Sequence, residues 1–461
     1  MNTKLDGNEP SIDKAKVDDQ ILELVRILYP EEYVKERQNL ENIILRLKTI
    51  FSKDLSSVPA RVDPFELEVR PDSDWFSNNK NKQSARLQSL SKQYAVKKFI
   101  NKAIANKVIR PSQSEAWSQI LLTPKSDGTW RFCVDFRSLN AVTKSMGWPI
   151  PNIAQLLQRI GSKKPSWFAV LDLTSGYHQA PLSESSIPYT AFMCSEGLFE
   201  WLRLPMGLKG AGSYFQHHMT NTVLRDLVQK ICEVYLDDII VFAKSPQELN
   251  KRLEEVFQRL KLFGITLNPA KVRIGMEAVE YVGHLLDKEE LSFSQEKKES
   301  VLNFRKPETA SQMKSFLGLI SQFRDHVPEF GTLAAPLHGM IPDYKKNSKV
   351  PLKWTLALEE SFYTLQRNVA GCQQLFFIDD SSPVFLHTDA SNYGIGAYLF
   401  QEVDGIRHPI SFISRTLNKT ELKWSTIEKE AYSIFFAFQK LEHLIRDRHF
   451  TLRTYSNNLH S

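Results

Sequence analysis

The stretch Val234-Tyr235-Leu236-Asp237-Asp238-Ile239-Ile240-Val241 constrains the fold more than any other part of the chain. Two apolar, β-branched runs flank a two-residue acidic tip, so the sequence predicts a hairpin whose turn presents adjacent carboxylates. Asp also favours turns by bonding its own backbone, so the pair taken alone reads as an ordinary turn. A second acidic position shifts the balance. The run Trp167-Phe-Ala-Val-Leu-Asp172 is a short apolar strand that ends on a carboxylate, and a buried carboxylate is costly unless something pairs with it. If the two strands are neighbours, Asp172, Asp237 and Asp238 converge. Three like charges repel unless a cation sits among them. Hard divalent ions with oxygen ligands suit such a cluster, Mg²⁺ above all. Two ions held by carboxylates suit in-line phosphoryl transfer, because they stabilise both the attacking and the leaving oxygen.

The rest of the chain is compatible with that chemistry. Its 461 residues correspond to roughly three domains of about 150 residues each. With 42% hydrophobic and 24% charged residues it is neither disordered nor low-complexity. Lys and Arg number 59 against 53 Asp and Glu, a net +6 that permits a polyanionic partner without requiring one. Cys133, Cys194, Cys232 and Cys372 form no CxxC pair, which argues against a disulfide framework or a zinc knuckle and for a reducing compartment. No apolar run reaches the length of a membrane span, and the polar start lacks the apolar core of a secretion signal. A soluble, cytoplasmic protein is expected, with the nucleus as the alternative.

Residues 1–78 read as a polar extension. Ile21, Leu22, Leu24, Val25 and Leu28 give it one helical stretch, and Arg70-Pro71-Asp72-Ser73-Asp74 reads as a linker. Between Lys80 and Arg110 stand nine basic residues and no acidic ones, with Ala95, Ile100, Ala103 and Ile104 as an apolar helical face. Two readings stand for this segment: a solvated amphipathic helix, or a surface that contacts phosphate. An α+β region follows from about Glu115 to Asp287. It includes a helix with Ser245 as N-cap, Pro246 at its first position, Glu248 completing a capping box and Gly264 as its stop. The buried face of that helix should be Leu249, Leu253, Val256, Phe257 and Leu260. A helical segment runs from Lys297 to about Ile341, and the last part reads strand, strand, strand, helix, strand.

Several further motifs occur in order. They are Thr123-Pro-Lys125-Ser-Asp-Gly-Thr-Trp130-Arg131-Phe-Cys-Val-Asp135-Phe-Arg137-Ser-Leu-Asn140, Leu171-Asp172-Leu-Thr-Ser-Gly176-Tyr177-His-Gln179 and Leu204-Pro-Met-Gly207-Leu. Phe215-Gln216, Tyr235-Leu-Asp237-Asp238, Leu267-Asn-Pro-Ala-Lys271 and Tyr281-Val-Gly283-His284 follow. From about residue 80 to 454 the chain resembles the reverse transcriptase and RNase H region of a Ty3/gypsy-like LTR retrotransposon Pol polyprotein, a relative of the retroviral polymerases. The resemblance implies an α+β, right-hand polymerase of fingers, palm and thumb, followed by a truncated RNase H-like α/β domain. It divides the chain into an N-terminal extension (1–78), fingers and palm (79–289), a thumb-like segment (290–350) and the RNase H-like part (351–461).

The resemblance also implies roles. Asp172, Asp237 and Asp238 would be the catalytic, metal-binding triad, with the backbone carbonyl of Leu173 as an extra ligand. Lys125 and Arg131 would neutralise the incoming triphosphate. Tyr177 would lie beneath the sugar and exclude a 2′-hydroxyl, and Gly207 would line the nucleotide pocket. Met206 departs from the commoner Phe or Gln at its position. Lys271 would protonate the leaving pyrophosphate, with a solvated lysine after a turn as the alternative. Gln216, Tyr235, Gly283 and His284 would contact template and primer. Ser315-Phe316-Leu317-Gly318-Leu319 carries the likeness to a thumb, in which Lys306, Lys314 and Arg324 either touch phosphate or remain solvated.

Lys353-Trp354-Thr355 and Leu386-His387-Thr388-Asp389-Ala390-Ser391 begin the likeness to ribonuclease H. Asp389 and Glu430 would be its acidic ligands, with Glu428 the capping-box partner of Ser425. Where the family has an aspartate after the strand Phe450–Thr454, this chain has Tyr455, and a phenol does not replace a carboxylate on a hard metal at neutral pH. The chain also stops before the segment expected to carry the remaining acidic ligand, so weak or absent RNase H activity is expected. The length fits a processed piece, a truncation or an incomplete gene model.

The expected function is that of an RNA-directed DNA polymerase. It would use two Mg²⁺, or Mn²⁺ instead, and act on an RNA template, a DNA primer, RNA–DNA hybrid and dNTPs. The alternative is a catalytically silent, nucleic-acid-binding retroelement relic. An RNA-templated RNA polymerase is disfavoured by Tyr177.

Overall fold

The structure, a computed structural model, describes residues 20–125, 128–145, 147–341 and 350–454. Two compact units divide the chain: Met1–Asn152 with Pro165–Glu277, and Ile153–Lys164 with Ala278–Ser461. No helix among the described residues is long and apolar enough to cross a membrane.

In chain order, the strands of the first unit are β1 (Arg26–Ile27), β2 (Ile109–Pro111), β3 (Ser118–Pro124), β4 (Trp130–Val134), β5 (Trp167–Asp172), β6 (Phe192–Cys194), β7 (Gly197–Trp201), β8 (Cys232–Tyr235), β9 (Asp238–Ala243) and β10 (Arg273–Met276). They form two sheets, ordered β1-β10-β5-β9-β8 and β2-β7-β6-β3-β4. β5 and β9 are central in the first, consistent with their unbroken apolar runs.

The helix Pro246–Phe263 packs on β5 and β9 through Leu249, Leu253, Val256, Phe257 and Leu260, all fully buried as their spacing predicts. Ser245 accepts from the Glu248 N–H at its start, and Gly264, at φ +68°, ends it in the left-handed region that favours glycine. The capping box is incomplete, however. The Glu248 carboxylate accepts from the Lys244 N–H, one residue before the cap, and from Arg252.

The first part of the chain differs from its sequence reading. The helix predicted through Leu28 ends at residue 24, and Arg26–Ile27 instead pair in parallel with Arg273–Ile274. A helix absent from the sequence reading spans Val34–Arg46 and buries Leu40, Ile43 and Ile44. It packs on the helix Pro246–Phe263, where Tyr29 Oη donates to Asn250 Oδ1 at 2.8 Å. Arg70–Asp74 is a turn, closed by Ser73 N–H on Arg70 O at 3.0 Å, and it leads directly into the buried Trp75. The basic segment forms the helix Leu90–Ala105, but its apolar face is rotated. Val96, Ile100 and Ala103 are buried, Ile104 is exposed, and Phe99 stacks on Phe132 of β4 with ring centroids 4.0 Å apart.

In the second unit β11 (Val279–Tyr281), β12 (His284–Leu286), β13 (Glu290–Ser292) and β14 (Leu375–Phe376) form an antiparallel sheet in that order. The helices Gln295–Leu302, Ala310–Ile320, Phe330–Gly339 and Leu356–Ala370 enclose a core that includes Met313, Phe316, Leu337, Phe362 and Leu365. β15 (Val384–Ala390), β16 (Gly394–Val403), β17 (Ile406–Thr416) and β18 (Phe450–Thr454) form a sheet ordered β17-β16-β15-β18, with β15 and β18 parallel. The helix Thr426–Ile445 packs on β15 and β16, joining Leu386 and Leu399 to Ala437 and Leu441. The Ser425–Glu428 capping box predicted at its start is complete. This is the strand, strand, strand, helix, strand order read from the sequence.

Candidate active site

The antiparallel register of β5 and β9 places Asp172 directly opposite Asp238. β8 and β9 pair from Tyr235↔Asp238 onward, so the turn residues are Leu236 and Asp237. The two-aspartate tip expected from sequence is therefore shifted by one residue: Asp237 stands on the turn and Asp238 begins the strand. The shift requires Leu236 to adopt φ +55°, which costs a side-chain-bearing residue about 1–2 kcal/mol. Gln216 holds it there. Its Oε1 accepts from the Leu236 N–H at 2.7 Å, and its Nε2 donates to Val234 O at 3.0 Å. Asp237 is packed against Gly176, where an added Cβ would lie 3.1 Å from the Asp237 Cβ. The glycine thus permits a close approach of the Asp172 loop to the hairpin.

The electrostatics of the three carboxylates agree with their proximity. The Asp238 carboxyl is pushed up to about 6, first by burial, then by Asp237 and Asp172, with Lys271 opposing. Lys271 Nζ lies 3.0 Å from Asp172 Oδ2. Its position follows from local structure. Asn268 caps the short turn Pro269–Lys271 by accepting from the Ala270 N–H, and its own N–H donates to Asp172 O at 2.9 Å. Among the described residues, no three acidic, histidine or cysteine side chains are gathered closely enough to cage an ion by themselves. The donor set is all oxygen, and burial with the neighbouring Asp237 and Asp172 disfavours the charged form of Asp238, so the residues fit a hard divalent cation.

Tyr177 lies by the carboxylates: its ring centroid is 5.1 Å from that of Phe215, and burial, then Asp237, then Tyr235 raise its phenol pKa. Leu173 is buried and forms an isolated antiparallel bridge with Leu267. Tyr235, at the end of β8, is half-buried. Gly207, at φ +96°, accepts from Asn140 Nδ2 at 2.8 Å, while Asn140 Oδ1 accepts from the Lys209 N–H. Lys125 and Arg131 are exposed on the β3–β4 hairpin of the second sheet.

Gln216 is only 1% exposed, and its amide is taken up by the hairpin backbone at Val234 and Leu236. Its signal in the sequence was a polar residue within a helix, Ala211–His218, whose neighbours Tyr214 and Phe215 are buried. Asn140 and Gly176 lie within the sequence motifs, but nothing local to them signals what they do. Their partners lie 67 and 61 positions along the chain, beyond any local pattern.

Gly283 and His284 belong to the second unit. Of the expected phosphate-contacting cations there, Lys306 is ion-paired with Glu359 at 2.7 Å and sits over the Trp354 ring, Arg324 donates to Ser414 O, and Lys314 is exposed. Asp389 is exposed at the end of β15, and Glu430 is 5% exposed on the facing helix. Glu430 Oε2 is buried without a hydrogen-bond partner, and burial and then Asp389 raise its pKa. A cation between the two carboxylates would relieve both effects. Tyr455 lies outside the described residues.

Two family descriptions match the chain. Residues 123–286 match the family described as reverse transcriptase (RNA-dependent DNA polymerase), and residues 354–452 match the RNase H-like domain found in reverse transcriptase. The retrovirus-related Pol polyprotein from transposon opus of Drosophila melanogaster is 36% identical over 357 residues, which is 75% of this chain and 35% of that polyprotein. That from transposon gypsy, also of Drosophila melanogaster, is 30% identical over 451 residues, 95% of this chain and 41% of the polyprotein. The chain thus spans well under half the length of these relatives. The foamy viral protease-reverse transcriptase in complex with dsDNA superposes with a TM-score of 0.79 at 20% identity, covering 98% of this chain and 90% of that one. By these matches the chain belongs to the reverse transcriptase family, as the reverse transcriptase and RNase H-like region of a Ty3/gypsy-type retrotransposon Pol polyprotein.

Proposed function

We propose that this chain is an RNA-directed DNA polymerase that extends a DNA primer with dNTPs on an RNA template, residues 79–289 acting as fingers and palm and 290–350 as thumb. The observation that carries the reading is the Asp172–Asp238 register pair beside Asp237, where burial and then the two neighbouring carboxylates push the Asp238 pKa up to about 6. Two Mg²⁺ ions, or Mn²⁺, would supply the Lewis acidity that activates the primer hydroxyl and stabilises the leaving pyrophosphate. Asp172, Asp237, Asp238 and the Leu173 carbonyl would hold them. Attack of the primer O3′ on the α-phosphorus forms one P–O bond and breaks the bond to pyrophosphate.

The chain's other residues orient that step. Tyr177, packed on Phe215 and close enough to Asp237 for its charge to raise the phenol pKa, would set its ring against a 2′-hydroxyl. Lys125 and Arg131 carry charge toward the triphosphate from the β3–β4 hairpin. Lys271, which is ion-paired with Asp172, would give a proton to the leaving group. Gln216 and Gly176 position the hairpin that bears the carboxylates. The four thiols, none in a disulfide, suit a reducing compartment, the cytoplasm or the nucleus.

Primer extension on an RNA template with dNTPs and Mg²⁺ tests the reading, with an Asp237→Asn/Asp238→Asn variant alongside. Extension by the natural protein alone is expected. Equal extension by both, or none by either with the hybrid still bound, overturns it, and the second result supports the silent binding relic.

A further inference from the structure

We propose that Lys297 is a positioning residue for primer extension: its ammonium latches the Val282–Gly283 turn that carries the primer-contacting residues Gly283 and His284. The inference rests on the polymerase reading above. Register Tyr281↔His284 closes the β11–β12 hairpin on a two-residue turn whose members both have positive φ, +49° at Val282 and +76° at Gly283. That is the backbone of the tightest hairpin turn, but a β-branched valine disfavours it. Something outside the hairpin must hold the turn in this form.

Both turn carbonyls have a partner. Lys297, on the helix Gln295–Leu302, donates from Nζ to Gly283 O at 2.6 Å. His284 Nδ1 lies 3.1 Å from Val282 O, and its ring packs 4.7 Å from Phe293. The Lys297 ammonium also sits 5.0 Å above the Phe293 ring and 6.0 Å from that of Phe323. It forms no ion pair among the described residues although it is half-buried; burial lowers its pKa, with the charge of Glu280 opposing. A lysine held this way does not serve solubility, and its polar partner is a single backbone carbonyl. Gly283 is matched to it: a Cβ there would lie 2.6 Å from Lys297 Nζ. A Cβ at Gly283 would therefore push the Lys297 ammonium off its carbonyl and would sit on a backbone at φ +76° that favours glycine.

Single-turnover primer extension on Lys297→Met, Lys297→Arg, Gly283→Ala and the Gly283→Ala/Lys297→Met double variant tests the latch, with thermal melting as the control for folding. Losing one charge-assisted hydrogen bond predicts about a 10-fold lower extension rate constant for Lys297→Met, with dNTP affinity unchanged. Lys297→Arg, which keeps charge and donor, recovers most of that rate. The double variant loses less than the product of the two single losses, because the clash in Gly283→Ala needs the ammonium. A purely structural lysine would lower the active fraction and leave the rate constant alone. That result, or a natural rate constant in Lys297→Met, overturns the latch while the polymerase reading stands. A natural protein that extends no primer overturns both.

Discussion

Asp238 is the residue at which stability and function should separate most clearly. Its carboxyl, ordinarily near 3.8, is pushed up to about 6, chiefly by burial and then by Asp237 and Asp172. The folded protein therefore holds this proton more tightly than the unfolded chain. Stability contributed here is present below about pH 4, falls as pH rises toward 6, and stays lost above it. A shift of about two units corresponds to ~3 kcal/mol unscreened, and solvent access to this half-buried group reduces it to about 1.5 kcal/mol. Asp238→Asn keeps the shape and removes the charge. At pH 7.5 without divalent ions it should raise the stability by about 1–2 kcal/mol, or roughly 2–4 °C in Tm. Primer extension should fall at least about 100-fold. Melting curves between pH 4.5 and 8, with and without millimolar Mg²⁺, measure this. The gain should vanish toward pH 4.5, and Mg²⁺ should stabilise the natural protein more than the variant. A variant less stable than the natural protein across the whole range, or a difference that ignores pH, would refute the reasoning.

Three other outcomes follow from the same geometry. Gln216→Leu leaves the Leu236 N–H and Val234 carbonyl without their partner; a loss of about 2 kcal/mol is expected by chemical denaturation, with a larger loss of extension. Tyr177→Val should raise the use of ribonucleotides relative to dNTPs by roughly 100-fold in competition assays, and unchanged discrimination would remove Tyr177 from the sugar pocket. On a labelled RNA–DNA hybrid, cleavage should be weak or absent despite Asp389 and Glu430, and strong Mg²⁺-dependent cleavage abolished by Asp389→Asn would refute that expectation.

The elements that were legible in the sequence owe their form to neighbours a few residues away. The helix Pro246–Phe263 was readable from its Ser245 cap, its Gly264 stop and the spacing of Leu249, Leu253, Val256, Phe257 and Leu260. The helix Thr426–Ile445 was readable from its capping box. The helix Val34–Arg46 also carries helical spacing in Leu40, Ile43 and Ile44, but its sequence is largely polar, and its stability comes from packing on a helix about 200 positions away. Arg26–Ile27 continue a helical pattern and become a strand because a partner edge at Arg273–Ile274 is available.

The candidate site divides in the same way. By itself the sequence determined which groups are present: the three carboxylates, the tyrosine beside them, the lysine after Asn268-Pro269-Ala270, and the motif order that marks the family. Their arrangement was decided by the tertiary structure. The β8–β9 register moved the turn to Leu236–Asp237, and the β5–β9 register set Asp172 against Asp238. Only folding assigned Gln216 to the hairpin backbone and Lys297 to the Gly283 carbonyl. Hydrophobic period and capping act within a turn or two of chain. Register, burial and the hydrogen bonds that tolerate a left-handed Leu236 depend on residues brought together only by folding.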